Sequence, residues 1–190
     1  MYILIRHDRM YAHKVLKVNY TTYDMRRDQD VLNPGTSRCN IMVLAQPDAD
    51  EASGGQHFLY GRILGIYHVN VIYNGPGMVD YTLRRFDFLW VRWYDLEDSV
   101  MARAKKSKAS SYLLDRLVFP PLNAENAVGF LDPASVLRGC HIIPAFAKGK
   151  RFPEGQPGQS KRAQDVRDWK GYYVSRYGSK SKIYFLTNAN

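Results

Sequence analysis

Alternation with a period of two runs through most of the chain, and β-branched and aromatic residues fill the alternating positions. In residues 13–23, Val15, Lys17 and Asn19 interleave with Leu16, Val18 and Tyr20, the pattern of a half-buried strand. Residues 40–45 (NIMVLA) form a short apolar strand, with turn residues on both sides. Residues 48–56, small, acidic and glycine-rich, are expected to be an exposed loop. The two strongest runs, 58–73 (FLYGRILGIYHVNVIY) and 83–94 (LRRFDFLWVRWY), are joined by NGPGMVD, which has the turn residues of a hairpin with a longer loop. Gly61 and Gly65, inside the first run, predict a bulge or sharp bend.

Later elements are shorter. Residues 97–111 are polar, basic and without periodicity, which predicts a second exposed loop. Residues 113–119 end at Pro120–Pro121. In residues 132–139, Asp132 as N-cap, Pro133 in first position and Gly139 at the end predict one or two helical turns. A strand follows over 140–146, then a glycine-, proline- and base-rich exposed loop over 148–165, and a closing hairpin from 169–177 and 182–188 around Gly178. The expected fold is a single domain over 1–190: mainly β, a partly open, mostly antiparallel barrel with short helices. The runs 58–73 and 83–94 should lie side by side at its centre.

With 45% apolar and 13% aromatic residues, 190 residues suffice for one self-sufficient core. No apolar stretch approaches the length of a membrane-spanning helix, and residues 1–14 lack the order of a signal peptide, so a cytosolic or nuclear chain without a membrane partner is expected. Cys39 and Cys140 sit inside apolar runs, where free thiols behave as small hydrophobes.

Charge divides the chain. Residues 1–100 carry 11 Lys and Arg against 12 Asp and Glu, a balance of −1; residues 101–190 carry 16 against 6, a balance of +10. The excess falls in clusters at 103–108, 148–151, 161–162 and 176–182. Clusters of this kind attract polyanions, nucleic acid above all. The candidate phosphate contacts are Lys105, Lys106, Lys108, Lys148, Lys150, Arg151, Lys161 and Arg162.

Catalytic chemistry finds less support. His7, His13, His57, His68, His141 and the two cysteines show no pair at zinc spacing, so no metal site is expected. NGPG lacks the ending of a phosphate-binding loop, no serine occupies a nucleophile elbow, and adjacent Cys140 and His141 point to opposite faces of a strand. Asp87, Asp95, Asp115 and Asp132 have no spacing that defines a nuclease centre. No catalytic residue and no cofactor are therefore assigned. Arginine interleaved with aromatic residues in 83–94 and 172–177 suits stacking on single-stranded bases or a cage for a methylated lysine, beside ordinary β-packing.

The segments HKVLKVNYTTYDMRRDQDVLNP, YGRILGIYHVNV, FLWVRWY, GFLDPASVLRGCHIIPAF and WKGYYVSRY together resemble a domain abundant in mushroom-forming fungi, at the C-terminal end of large proteins linked to CACTA-like and Plavaka-type DNA transposons. The resemblance spans about residues 10–180. The motif order is also similar to a bromo-adjacent homology domain: Tyr60 to Ile63, Val91 to Tyr94 with the acids that follow, Leu137 to Ile142, and Tyr173 to Tyr177. That resemblance implies a nuclear chromatin or protein-interaction module without catalysis, with a histone tail or DNA as partner. In readers of methylated lysine it places cage residues at Tyr60 and Trp93, with Glu97 or Asp98 as carboxylate. The basic stretch at 99–111 departs from the reader pattern and favours DNA or nucleosome. DNA binding through the basic half is thus the alternative function, and a nuclease-like enzyme a minor one.

Overall fold

The computed structural model describes residues 3–21, 26–45, 58–77, 81–97, 115–153 and 156–174. The loop expected at 48–56, the 98–111 part of the second loop and the strand at 182–188 lie outside the described residues.

Eleven strands are present among the described residues: β1 (Ile3–His13), β2 (Leu16–Thr21), β3 (Arg27–Leu32), β4 (Asn40–Leu44), β5 (Phe58–Tyr73), β6 (Arg84–Leu96), β7 (Asp115–Val118), β8 (Val128–Leu131), β9 (Val136–Gly139), β10 (Ile142–Pro144) and β11 (Tyr172–Val174). Among the described residues all strand pairings are antiparallel and helical residues are few, limited to one-turn 3-10 segments and Glu97, so the chain is mainly β, a curled half-barrel. The main sheet runs β10-β11-β7-β6-β5-β4-β9, with β1 alongside the second half of β5 and β8 alongside β6. β2 and β3 form a separate hairpin. As expected from their apolar content, β5 and β6 are adjacent and central, paired from Tyr60↔Tyr94 to Val71↔Arg84.

The bulge falls between Ile63 and Gly65. One extra β5 residue there changes the parity of the strand, so Ile63 and Ile66 both face the side to which Val91 and Leu89 point. That side is aliphatic: Ile41, Val43, Ile63, Ile66, Leu89, Val91 and Val136 are covered by Val18 and Leu32 from the β2–β3 hairpin. The hairpin is fastened by Asp30, whose Oδ2 accepts from Gly139 N at 2.9 Å and Arg138 Nε at 3.2 Å, while the Arg138 guanidinium lies 3.6 Å from the Tyr20 ring centroid. The opposite side of the sheet is aromatic: Tyr60, Tyr94, Leu117, Phe119, Tyr172 and Val174.

Three expectations change. The N-terminal segment and residues 27–32 are strands, although neither carries a clean period-two pattern; β1 is irregular between Ile5 and Met10, where His7 and Asp8 have positive φ. The helical signal at 132–139 is spent in a single 3-10 turn, Pro133–Ser135, with Asp132 Oδ1 accepting from Ala134 N at 2.8 Å. Val136–Gly139 then pairs with β4, which places Val136 in the aliphatic cluster. The segment 148–165 is not an exposed loop throughout: Ala163 and Asp165 are buried. Cys39 and Cys140 are free thiols, as expected, and burial pushes the Cys140 thiol up to about 12.

Gly61 is required by space. A Cβ there would lie 2.4 Å from Val91 Cγ1 and 3.1 Å from Trp93 Cε3. Val91 is fully buried and cannot withdraw. Gly61→Ala is expected to destabilise the fold by about 1–3 kcal/mol, the usual cost of overpacking. Chemical denaturation checks this, and an unchanged midpoint would contradict it.

Candidate nucleic-acid interface

Arg62 and Arg92 are direct cross-strand partners on the aromatic side of the sheet. Two like charges in that position repel, and here both are largely withdrawn from solvent. Asp168 resolves the conflict. Its Oδ1 accepts from Arg62 Nη1 at 3.0 Å, its Oδ2 lies 2.7 Å from Arg92 Nη1, and its side chain is fully buried. Arg92 Nη1 also donates to the Ala163 carbonyl at 3.3 Å. Arg92 Nε is buried with no hydrogen-bond partner among the described residues, and the Phe119 ring, 3.9 Å from the guanidinium carbon, supplies cation–π attraction instead. The Arg62 guanidinium lies 4.6 Å from the same ring, and 5.9 and 5.8 Å from the rings of Tyr94 and Tyr172. The Tyr172 hydroxyl donates to Asp168 Oδ1 at 3.3 Å and accepts from Trp169 N at 2.9 Å. Burial pushes the Asp168 carboxyl up, against the pull of Arg92 and Arg62.

This triad fastens the segment 156–170 to the sheet. Gln164 takes a left-handed conformation (φ 54°) between Ala163, which accepts from Arg92, and Asp165, which is buried. Asp165 accepts from Gln159 N at 2.6 Å and Ser160 N at 3.1 Å, closing the turn on itself. At the far end Lys150 bridges Trp169, Arg151 N donates to the Asp168 carbonyl at 2.8 Å, and Lys170 N donates to the Gly149 carbonyl at 3.1 Å. The basic residues of 148–151 are thereby placed beside those of 167–170.

The outcome is a separation of charge. Asp165 and Asp168 are turned inside, whereas Lys150, Lys161, Arg162, Arg167 and Lys170 are exposed. Near Lys150, Phe146 is 64% exposed and packs edge-on against Trp169, with ring centroids 4.9 Å apart. An exposed ring together with exposed cations is the combination that holds single-stranded nucleic acid, its bases stacking on the ring and its phosphates pairing with the cations.

The candidates read from sequence divide accordingly. Lys150, Lys161 and Arg162 are exposed, Lys148 is drawn into an ion pair with Glu97, and Arg151 Nη1 donates to the Phe119 carbonyl at 3.1 Å. Lys105, Lys106 and Lys108 lie outside the described residues. Arg167, Lys170 and Phe146 are exposed as well, without any signal in the sequence, since isolated basic residues and one phenylalanine form no local pattern.

The expected aromatic cage is not assembled. Tyr60 opposes Tyr94, and Trp93 opposes Gly61, so Tyr60 and Trp93 point to opposite faces of the β5–β6 pair. Tyr60 is buried and donates to Asp115 Oδ2 at 3.1 Å; Trp93 packs against the aliphatic cluster. Glu97 is occupied by Lys148, and Asp98 lies outside the described residues. The scattered acids take separate duties: Asp87 pairs with Arg85, Asp115 with Tyr60, and Asp132 caps its 3-10 turn, while burial pushes the Asp95 carboxyl up.

Among the described residues, His13, His68 and Asp87 bring possible metal-ligand atoms within 4.8 Å of one another. The Arg85 guanidinium holds the Asp87 carboxyl below its usual range, and partial desolvation, then Arg85 and His13, lower His68. No helix among the described residues is long and apolar enough to cross a membrane. No family model, curated protein or solved structure matches the chain.

Asp168→Asn would leave two guanidiniums opposed without their anion. A loss of about 3–5 kcal/mol is expected, the range for breaking a buried ion pair by removing one partner. Thermal and urea unfolding measure it; a loss below about 1 kcal/mol, the worth of an ordinary exposed pair, would contradict the triad's role.

Proposed function

We propose that the chain is a non-catalytic interaction module that binds nucleic acid through the surface formed by residues 146–153 and 156–170, with single strands preferred. The observation that carries this reading is the exposed Phe146 ring, packed on Trp169 near Lys150, with Arg167 and Lys170 exposed and Asp165 and Asp168 buried in the flanking segment. The net charge of +9 steers polyanions towards the molecule. The resemblance to transposon-associated fungal domains and to bromo-adjacent homology modules supports a nuclear setting, on transposon DNA or chromatin. For a histone-tail reader, the opposite facing of Tyr60 and Trp93 removes the cage at those positions, and nucleic acid is the better-supported partner.

Fluorescence anisotropy with a labelled single strand and its duplex, at several salt concentrations, tests the proposal. Binding should weaken steeply with salt. Neutralising Lys161, Arg162, Arg167 and Lys170 together should weaken binding to all sequences alike. It should also flatten the single-strand salt slope by about 0.7 for each phosphate left without its cation. Phe146→Ala should cost about 1–3 kcal/mol on the single strand, the worth of one stacked base, and much less on the duplex. Absence of binding at low salt, or binding indifferent to both sets of substitutions, would overturn it.

A further inference from the structure

We infer that His13, His68 and Asp87 form a binding site for a divalent transition-metal ion of the zinc class. The three residues come from β1, β5 and β6, neighbouring strands at the far end of the central ribbon. His68 and Asp87 are direct cross-strand partners, and His13 lies two residues along β1 from Tyr11, the partner of His68. Side chains in these positions share one face of the sheet. The distances agree. His13 Nε2 and His68 Nδ1 are 2.6 Å apart, and the ligand atoms of all three residues fall within 4.8 Å of one another. A tetrahedral ion with bonds of about 2.0–2.2 Å wants its ligands roughly 3.3 Å apart, between those two values. His13 and Asp87 are exposed, so small rotations of their side chains suffice to close the set.

The surroundings hold the three groups in place. The Tyr11 ring stacks on the His68 imidazole with centroids 4.7 Å apart and planes 10° from parallel. Arg85 grips Asp87, Nε lying 3.0 Å from each carboxylate oxygen and Nη2 2.7 Å from Oδ1. A carboxylate has lone pairs to spare after such a grip, and one remains for a metal. Outer partners of this kind orient ligands before the ion arrives. Two imidazoles and one carboxylate are the donors of open transition-metal sites; magnesium and calcium prefer oxygen throughout. Arg85 brings a positive charge close to the ion, so micromolar rather than nanomolar affinity is expected. Water or an anion fills the remaining positions. The site stands apart from residues 146–170 in sequence and in strand, and does not depend on nucleic-acid binding.

The test is a titration of the untagged full chain with Co²⁺, followed by its visible ligand-field absorption, and then competition with Zn²⁺. One equivalent should bind, and Zn²⁺ should displace it. His13→Gln, His68→Gln and Asp87→Asn should each weaken binding at least about tenfold. Melting curves in metal-free buffer establish that each variant is folded, and added Zn²⁺ should raise the melting temperature of the unaltered chain but not of folded variants. His13→Gln and Asp87→Asn alter exposed positions, so the test stands even if His68→Gln fails to fold. Absence of binding at millimolar Co²⁺ overturns the inference. So does binding that survives His13→Gln and Asp87→Asn unchanged, which would assign the ion to His7, His57 or His141.

Discussion

Two guanidiniums, Arg62 and Arg92, face each other across the central strand pair, and one buried carboxylate, Asp168, lies between them. Removing three charges from water is expensive, and such a triad adds little net stability over apolar residues of the same shape. What it adds is a geometric condition. The arginines come from β5 and β6, the ring over them from the segment after β7, and the anion from the approach to β11. All must arrive together, since any arrangement lacking Asp168 leaves like charges opposed in a poorly solvated space. The aromatic side of the sheet exists around this constraint: Tyr94 stacks on Phe119, and Tyr172 packs edge-on against both beside the cations.

The other side obeys a simpler rule. Aliphatic residues of β4, β5, β6 and β9 meet Val18 and Leu32 of the β2–β3 hairpin, and burial holds them, with Asp30 fastening the hairpin at its edge. The bulge between Ile63 and Gly65 keeps this side continuous, because without it Ile66 would turn to the opposite face. The sheet therefore has one face assembled by area and one by charge.

The charged face connects the interior to the proposed binding surface. Asp168 and the Ala163 carbonyl anchor a segment otherwise rich in glycine, proline and basic residues. With Asp165 and Asp168 inside, the segment displays Lys161, Arg162, Arg167 and Lys170 outside, and the same anchoring sets Trp169 beneath Phe146. An interior salt bridge and an exterior cationic patch are thus two consequences of one fold of the chain.

The period-two pattern determined the mainly antiparallel β architecture, the central position of 58–73 beside 83–94 and the bulge near Gly65, because side-chain alternation and local backbone freedom are properties of adjacent residues. Asp132 and Pro133 likewise marked a turn whose start was local and legible. The length of that turn was not local: β4 and the aliphatic cluster decided it. The basic character of the second half was legible too, but the sign at the surface was not, since Asp165 and Asp168 are ordinary acids until the fold buries them. The cage expected at Tyr60 and Trp93 failed on register, a relation between two strands that neither strand encodes alone. His13, His68 and Asp87 meet only across three strands, and Asp168 meets Arg62 and Arg92 from a distant part of the chain. Spacing along a sequence records neighbours within one element; meetings between elements depend on pairing, parity and burial, and those only the tertiary structure decided.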